Sequence, residues 1–306
     1  MWMPALLLAA AIGDAAPSDA EANFRIRAQA LAADEACDLF AEPERRFLEA
    51  GLAQARRDLT AAGFEPSRIE AALSRIRADR RMAACDSEPV RAIAETARAA
   101  AVEMLRQPTF AFDGATRSWQ VDRTRYDFVR WPVLQELDGA RFGRAVSVPD
   151  PNPRDRVDAR ETAPAFVIAG ESQATSAVLV LRDGAKAPEP YDRTLAGLLP
   201  PPDGAAIARF SAPPHGERRV FASARLSPER ARRLLSEAER AEVPASGFVF
   251  PEETLDLLAA LAPNEAAAIE LFDARGQRLA RYWIEIGHLR AALDFAALPY
   301  EGYAVR

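Results

Sequence analysis

The sequence predicts an α+β protein: an N-terminal helical bundle stapled by a disulfide, then a mostly antiparallel β-sheet domain with packed helices. Three observations carry that reading. Apolar residues recur with helical spacing as far as Leu105, and after Pro108 the pattern changes to alternation broken by Asp-Gly pairs. The chain's two cysteines, Cys37 and Cys85, each fall at the end of a predicted helix. The expected organisation is a signal peptide over 1–20, the bundle over 21–108 and the α+β domain over 109–306.

The bundle reads as four helices. The first spans 24–39. The second starts near Pro43, carries Leu48, Leu52, Ala55 and Leu59 on one face, and stops at Gly63, a residue suited to the left-handed position after a helix. The third begins at Pro66, carries Ile69, Leu73 and Ile76, and is expected to reach Cys85. Ser87 is the expected cap of a fourth, with Val90, Ile93, Ala97, Ala101 and Met104 inward. Short connections make successive helices antiparallel neighbours, so the first and third end together and bring Cys37 to Cys85.

Beyond Pro108, TFAF and RSWQV flank Asp113-Gly114, and a second Asp-Gly pair, Asp138-Gly139, separates two further strand patterns. AFVIAG and SAVLVLRDG extend the same antiparallel sheet, after a proline-rich connection over 149–164. Similarity between 194–240 and 254–298, each holding an AAI triplet expected as strand, suggests an internal repeat. SPERARRLLSEAERAE predicts a helix capped by Ser227.

The first residues, MWMPALLLAAAIGDA, combine an apolar run too short to span a bilayer with a small-x-small signature, as in a secretory signal. An even cysteine count fits an exported protein with a structural disulfide. The net charge of −6 and pI near 5.3 speak against nucleic acid or an anionic membrane surface as partner. Basic residues are almost all arginine, with Lys186 the single lysine, a pattern of codon bias rather than of phosphate recognition.

Catalytic motifs are sparse. GESQA places Ser172 after a strand, but a nucleophile elbow needs a helix next, and QATSAVLVL reads as loop and strand. The two histidines are His215, in an exposed PPHGE loop, and His288, at the corner where YWIEIG meets the helix LRAALDF. Ser172 and His288 are therefore the weak catalytic candidates, and Glu285 is the nearest acid to orient the histidine. With so few histidines and no CxxC, no metal site is expected, and no cofactor motif is present. The stretch RSWQVDRTRYDFVRW supplies the binding candidates, Trp119, Arg123, Arg130 and Trp131, as aromatic platforms and guanidinium forks or as packing at a domain junction.

These features point to an exported, periplasmic or secreted bacterial protein without enzymatic activity. It would bind an envelope protein or a small-molecule ligand, with no membrane span after signal cleavage. The alternatives are an envelope hydrolase using carboxylates or Ser172 and His288, and a structural or stress-related envelope protein with no ligand site.

Overall fold

The computed structural model describes residues 19–124, 130–146, 162–170, 172–193, 206–236, 239 and 243–298. The predicted signal run therefore lies outside the described residues, apart from Asp19 and Ala20, which open the first helix. Contacts divide the chain into one unit over Met1–Ala41 and Gly51–Arg98 and another over Glu42–Ala50 and Ala99–Arg306.

Helical spacing in the first unit becomes α1 (Asp19–Cys37), α2 (Glu42–Ala61), α3 (Pro66–Arg77), a 3-10 turn at Arg80–Ala83 and α4 (Glu88–Leu105). The outer residues of α2 and α4 cluster with the second unit. The predicted stripes are the buried ones: Leu52, Ala55 and Leu59 of α2 meet Ile69 and Leu73 of α3 and Phe24 and Ala28 of α1. Gly63 has φ +90°, and the N–H of Phe64 returns to the Leu59 carbonyl at 3.0 Å, closing α2 with a Schellman-type turn.

Two expectations need correction. The third helix stops at Arg77 rather than near Cys85, because Asp79 accepts the Arg81 N–H and starts the tighter 3-10 turn. Ser87 precedes α4 and its carbonyl accepts from Arg91, but its hydroxyl is buried with no partner among the described residues. The disulfide itself forms, joining Cys37 at the end of α1 to Cys85 just beyond the 3-10 turn, with Cα atoms 5.5 Å apart.

In the second unit every strand pair is antiparallel. The strands are β1 (Thr109–Asp113), β2 (Ser118–Asp122), β3 (Val133–Leu137), β4 (Ala140–Val146), β5 (Thr162–Ala169), β6 (Ser176–Arg182), β7 (Glu217–Phe221), β8 (Ala224–Arg225), β9 (Ala245–Val249), β10 (Ala266–Phe272) and β11 (Arg278–Glu285). Among the described residues they are accompanied by α5 (Pro228–Arg233), α6 (Thr254–Ala259) and α7 (Leu289–Ala297). Both Asp-Gly hairpins form, β1 with β2 and β3 with β4.

The predicted single sheet over 109–185 is in fact two. A seven-stranded sheet runs β1-β2-β3-β4-β5-β9-β8, and a four-stranded sheet runs β11-β10-β6-β7. β5 and β6 are buried along almost their whole length, so both are central strands, each in a different sheet. The chain steps back between the sheets at Ala222 and Ser223, whose N–H groups bond Ala177 of β6 and Val249 of β9. The inner faces share one core, with Phe112, Trp119, Phe142 and Phe166 from one sheet and Leu179, Ile269, Leu271 and Ile284 from the other. Four rings, Phe47, Phe110, Phe112 and Phe295, pack edge to face or tilted at one end of it.

The second AAI triplet lies in β10 as expected, but the first enters a 3-10 turn at Ala206–Phe210. Its neighbours β7 and β8 join different sheets, whereas β10 and β11 pair with each other. The helix from Ser227 is also shorter than its pattern. Ser227 caps it as predicted, but α5 ends at Arg233, and Ser236 and Glu239 bond each other's backbone N–H reciprocally, as in a capping box.

Glu285 joins the two sheets. Its carboxylate, 5% exposed, accepts the N–H groups of Ala115, Thr116 and Arg117 and the Thr116 hydroxyl, all in the β1–β2 turn. Its carbonyl accepts from the Trp119 indole at 2.9 Å and from the Gln135 amide at 3.0 Å, and the Gln135 side chain accepts the Glu285 N–H in return. Gly114 leaves room for this contact, since a Cβ there would lie 2.3 Å from Glu285 Oε1.

Two measurements check these anchors. Replacing both cysteines by alanine is expected to cost about 4 kcal/mol by the loop-closure entropy for a separation of 48 residues. Denaturant unfolding of the oxidised and cysteine-free proteins tests this, and equal stabilities would refute the staple. Glu285→Gln places an NH2 group among N–H donors and should cost about 1.5–3 kcal/mol in urea unfolding. A change within about 0.5 kcal/mol, typical of surface substitutions, would remove Glu285 from its anchoring role.

Candidate functional site

Alternation along the seven-stranded sheet separates the predicted binding residues. Trp119 points inward with Val121, is fully buried and is held by the Glu285 carbonyl. Arg123, 7% exposed, stacks 3.9 Å over Phe295 and donates to the carbonyls of Gln107 and Leu298. Both residues are therefore packing elements of the core. Arg130 and Trp131 lie on the other face, where they donate to the Leu235 and Leu234 carbonyls at 2.9 and 2.8 Å and fix the chain after α5. Residues 125–129, inside the same stretch, are outside the described residues.

Arg130 and Trp131 also line a cleft of about 620 Å³ on that outer face. Its floor is the outward row of β1 to β4: Thr109 and Ala111, Gln120 and Asp122, Glu136, and Arg141. Leu234, Leu235 and Ser236 form the wall beyond α5. The volume lies within the range of ligand pockets, which is roughly 300–1,000 Å³. Among the described residues β1 ends its sheet, so the cleft opens beside a free strand edge.

The charged groups here are organised. Arg141 bridges Glu136 at 2.9 Å and Glu239 at 2.6 Å. Burial works against its charge, but the hydrogen bonds to Glu239 and Glu136 outweigh it and hold its pKa above the ordinary value. The Ser236 hydroxyl, and after it the Arg141 guanidinium, pull the Glu239 carboxyl down to about 2. Asp122 is committed to the N–H and hydroxyl of Thr124.

The segments that carry the catalytic candidates are anchored apart. The Ser172 hydroxyl accepts the Ala174 N–H in a local turn that leads into β6, with no helix following. Thr175 beside it is tied to Phe272 at one end of β10, whereas Ile286 beside the histidine is tied to Glu265 at the other. Seven residues of strand place those anchors roughly 20 Å apart. His288 is the residue before α7, 9% exposed, with φ +65° and no side-chain cap bond. The acid nearest to it in sequence, Glu285, is occupied by the β1–β2 turn. His215 is exposed, as expected.

Among the described residues no group of three or more His, Cys, Asp or Glu is placed to hold a metal ion, and no helix is long and apolar enough to cross a membrane. The acidic, proline-rich stretch at 150–158 lies outside them. The residues that reading by motif missed are Thr109, Ala111, Gln120, Glu136 and Arg141. Their signal was the outward half of each alternating strand. Compared with protein-family models, curated proteins and solved structures, the chain has no match.

Folding stability should depend on Glu239 in acid. Its native pKa is depressed from 4.5 to about 2, so its contribution is complete above 4.5 and is lost as pH falls towards 2. NMR titration of the Glu239 carboxyl carbon should give a midpoint near 2. The Glu239→Gln variant should lose part of the acid slope seen in wild type. A midpoint at the ordinary value would refute the Ser236–Glu239–Arg141 arrangement.

Proposed function

We propose that this protein is an exported, non-enzymatic binding protein of the bacterial envelope that holds an extended segment of an envelope protein in the cleft beside β1. The observation that carries the reading is the cleft itself, of about 620 Å³, with both signs of charge, the Trp131 ring and a strand edge in reach of one occupant. An extended segment added along such an edge gains affinity from main-chain hydrogen bonds and selectivity from alternate side-chain pockets. Export is supported by the apolar N-terminal run and the Cys37–Cys85 disulfide. A binding role is favoured over hydrolysis because Thr175, near Ser172, and Ile286, near His288, are tied to opposite ends of β10.

Site-specific photo-crosslinking tests the proposal. A photoreactive residue at Gln120, on the cleft floor, should capture one segment of one envelope protein, whereas the same group at exposed Leu279 should not. Ala111→Trp, which fills the cleft from an exposed position, should abolish that adduct with little change in melting temperature. Adducts of equal yield at both positions, or an adduct that survives Ala111→Trp, would overturn the proposal.

A further inference from the structure

A second cavity, of about 230 Å³, lies on the outer face of the four-stranded sheet. Val180, Ala266 and Ala268 make a floor of small apolar side chains, and Ala268 sits opposite Trp283 on β11 and Val180 on β6. Small residues in the middle of a buried sheet leave volume that the neighbouring chain does not refill. The segment Ser211–Pro214 forms one side, where Arg193 is fixed by the Ser211 carbonyl and hydroxyl and by the Ala212 carbonyl.

Arginine dominates the polar lining of this cavity among the described residues. Arg219, Arg278 and Arg281 converge on Glu270, whose side chain is only 1% exposed. Burial raises the Glu270 carboxyl, but hydrogen bonds from Arg281 and Arg278 outweigh it and leave the carboxyl ionised, below its ordinary value. One buried carboxylate thus holds three guanidiniums in place. Among the described residues the lining itself carries Arg193, Arg278 and Arg281 and one carboxylate, Glu217. Trp283 is part of the wall, is 7% exposed, and its indole N–H meets no acceptor among the described residues. A buried donor without a partner is costly, and native interiors seldom keep one.

We propose that this cavity binds a short aliphatic carboxylate. Its carboxylate group would meet the lining guanidiniums and the Trp283 donor, and its short carbon chain would cover Val180, Ala266 and Ala268. Glu217 in the lining disfavours a dianion, which argues for a monocarboxylate over inorganic phosphate or sulfate. The cavity holds only a small body, since a water molecule in bulk liquid occupies about 30 Å³.

The test uses the full chain labelled with nitrogen-15 and titrated with sodium propionate, following the indole N–H resonances. Trp119 and Trp131 donate to carbonyls and serve as internal references, while Trp283→Phe identifies its own resonance among the four indoles of the chain. Propionate should shift the Trp283 resonance saturably and leave the two references in place. Arg278→Met should weaken that binding about tenfold, the loss of one charge-assisted contact. Ala268→Val, which fills the floor, should weaken it further. The wild-type titration decides the matter where a variant fails to fold. An absent or non-saturating shift would overturn the proposal, as would an equal shift from neutral propionamide or from sodium chloride at matched ionic strength. A larger saturable shift from phosphate or sulfate would overturn the assignment to a carboxylate.

Discussion

One buried carboxylate receives three backbone N–H groups, and the β-rich unit is arranged around it. Glu285 sits at the last position of β11 in the four-stranded sheet, and every donor to its side chain belongs to the β1–β2 turn of the seven-stranded sheet. An ionised group at that depth is tolerable only when several donors replace its water. The turn satisfies that requirement, and Glu285 in return ties down a turn that is also closed by the Gly114 N–H on the Arg117 carbonyl. Trp119 and Gln135 add neutral hydrogen bonds to the backbone of the same residue. The two sheets are therefore joined at one end through polar contacts as well as through their shared apolar core.

That arrangement bears on where space is left. The inner faces are filled by large rings and branched chains, and the two cavities described lie on the outer faces. On the seven-stranded sheet α5 covers β5 and β9, and the outward residues of β1 and β2 stay exposed beside it. On the four-stranded sheet the outward residues of β10 are Ala266, Ala268 and Glu270: two too small to fill their share of space, one charged. Both cavities thus follow from the side chains that the alternating pattern places away from the core.

Much of this architecture is legible in the sequence, and the exceptions share a cause. The helices, the two Asp-Gly hairpins and the disulfide depend on signals a few residues long or on helix order, and these are local. The division into two sheets is not local. β5 and β6 are both uninterrupted apolar runs, and nothing in either run specifies which strand lies beside it. The third helix and the helix after Ser227 both read too long because apolar spacing continues across Asp79 and Ser236, where a short polar side chain captures a backbone N–H. Trp119 and Arg130 lie in one polar-aromatic stretch, and only the strand phase tells which faces the core. Glu285 is legible as an acid on the polar phase of β11, but its partner turn is about 170 residues earlier, beyond any pattern argument.

Arginine use shows how the site chemistry separates from composition. Several of the described arginines are spent on carbonyls, as with Arg123, Arg130 and Arg193, or on single carboxylates, as with Arg182 and Glu265. Such contacts fasten loops to the sheets and leave little net field, because each charge is dispersed over backbone dipoles or cancelled by a neighbour. Around Glu270 the arrangement is different: three guanidiniums share one buried carboxylate. Guanidiniums held in fixed geometry beside an apolar floor have already met the cost of ordering in folding, unlike the same groups on mobile surface side chains.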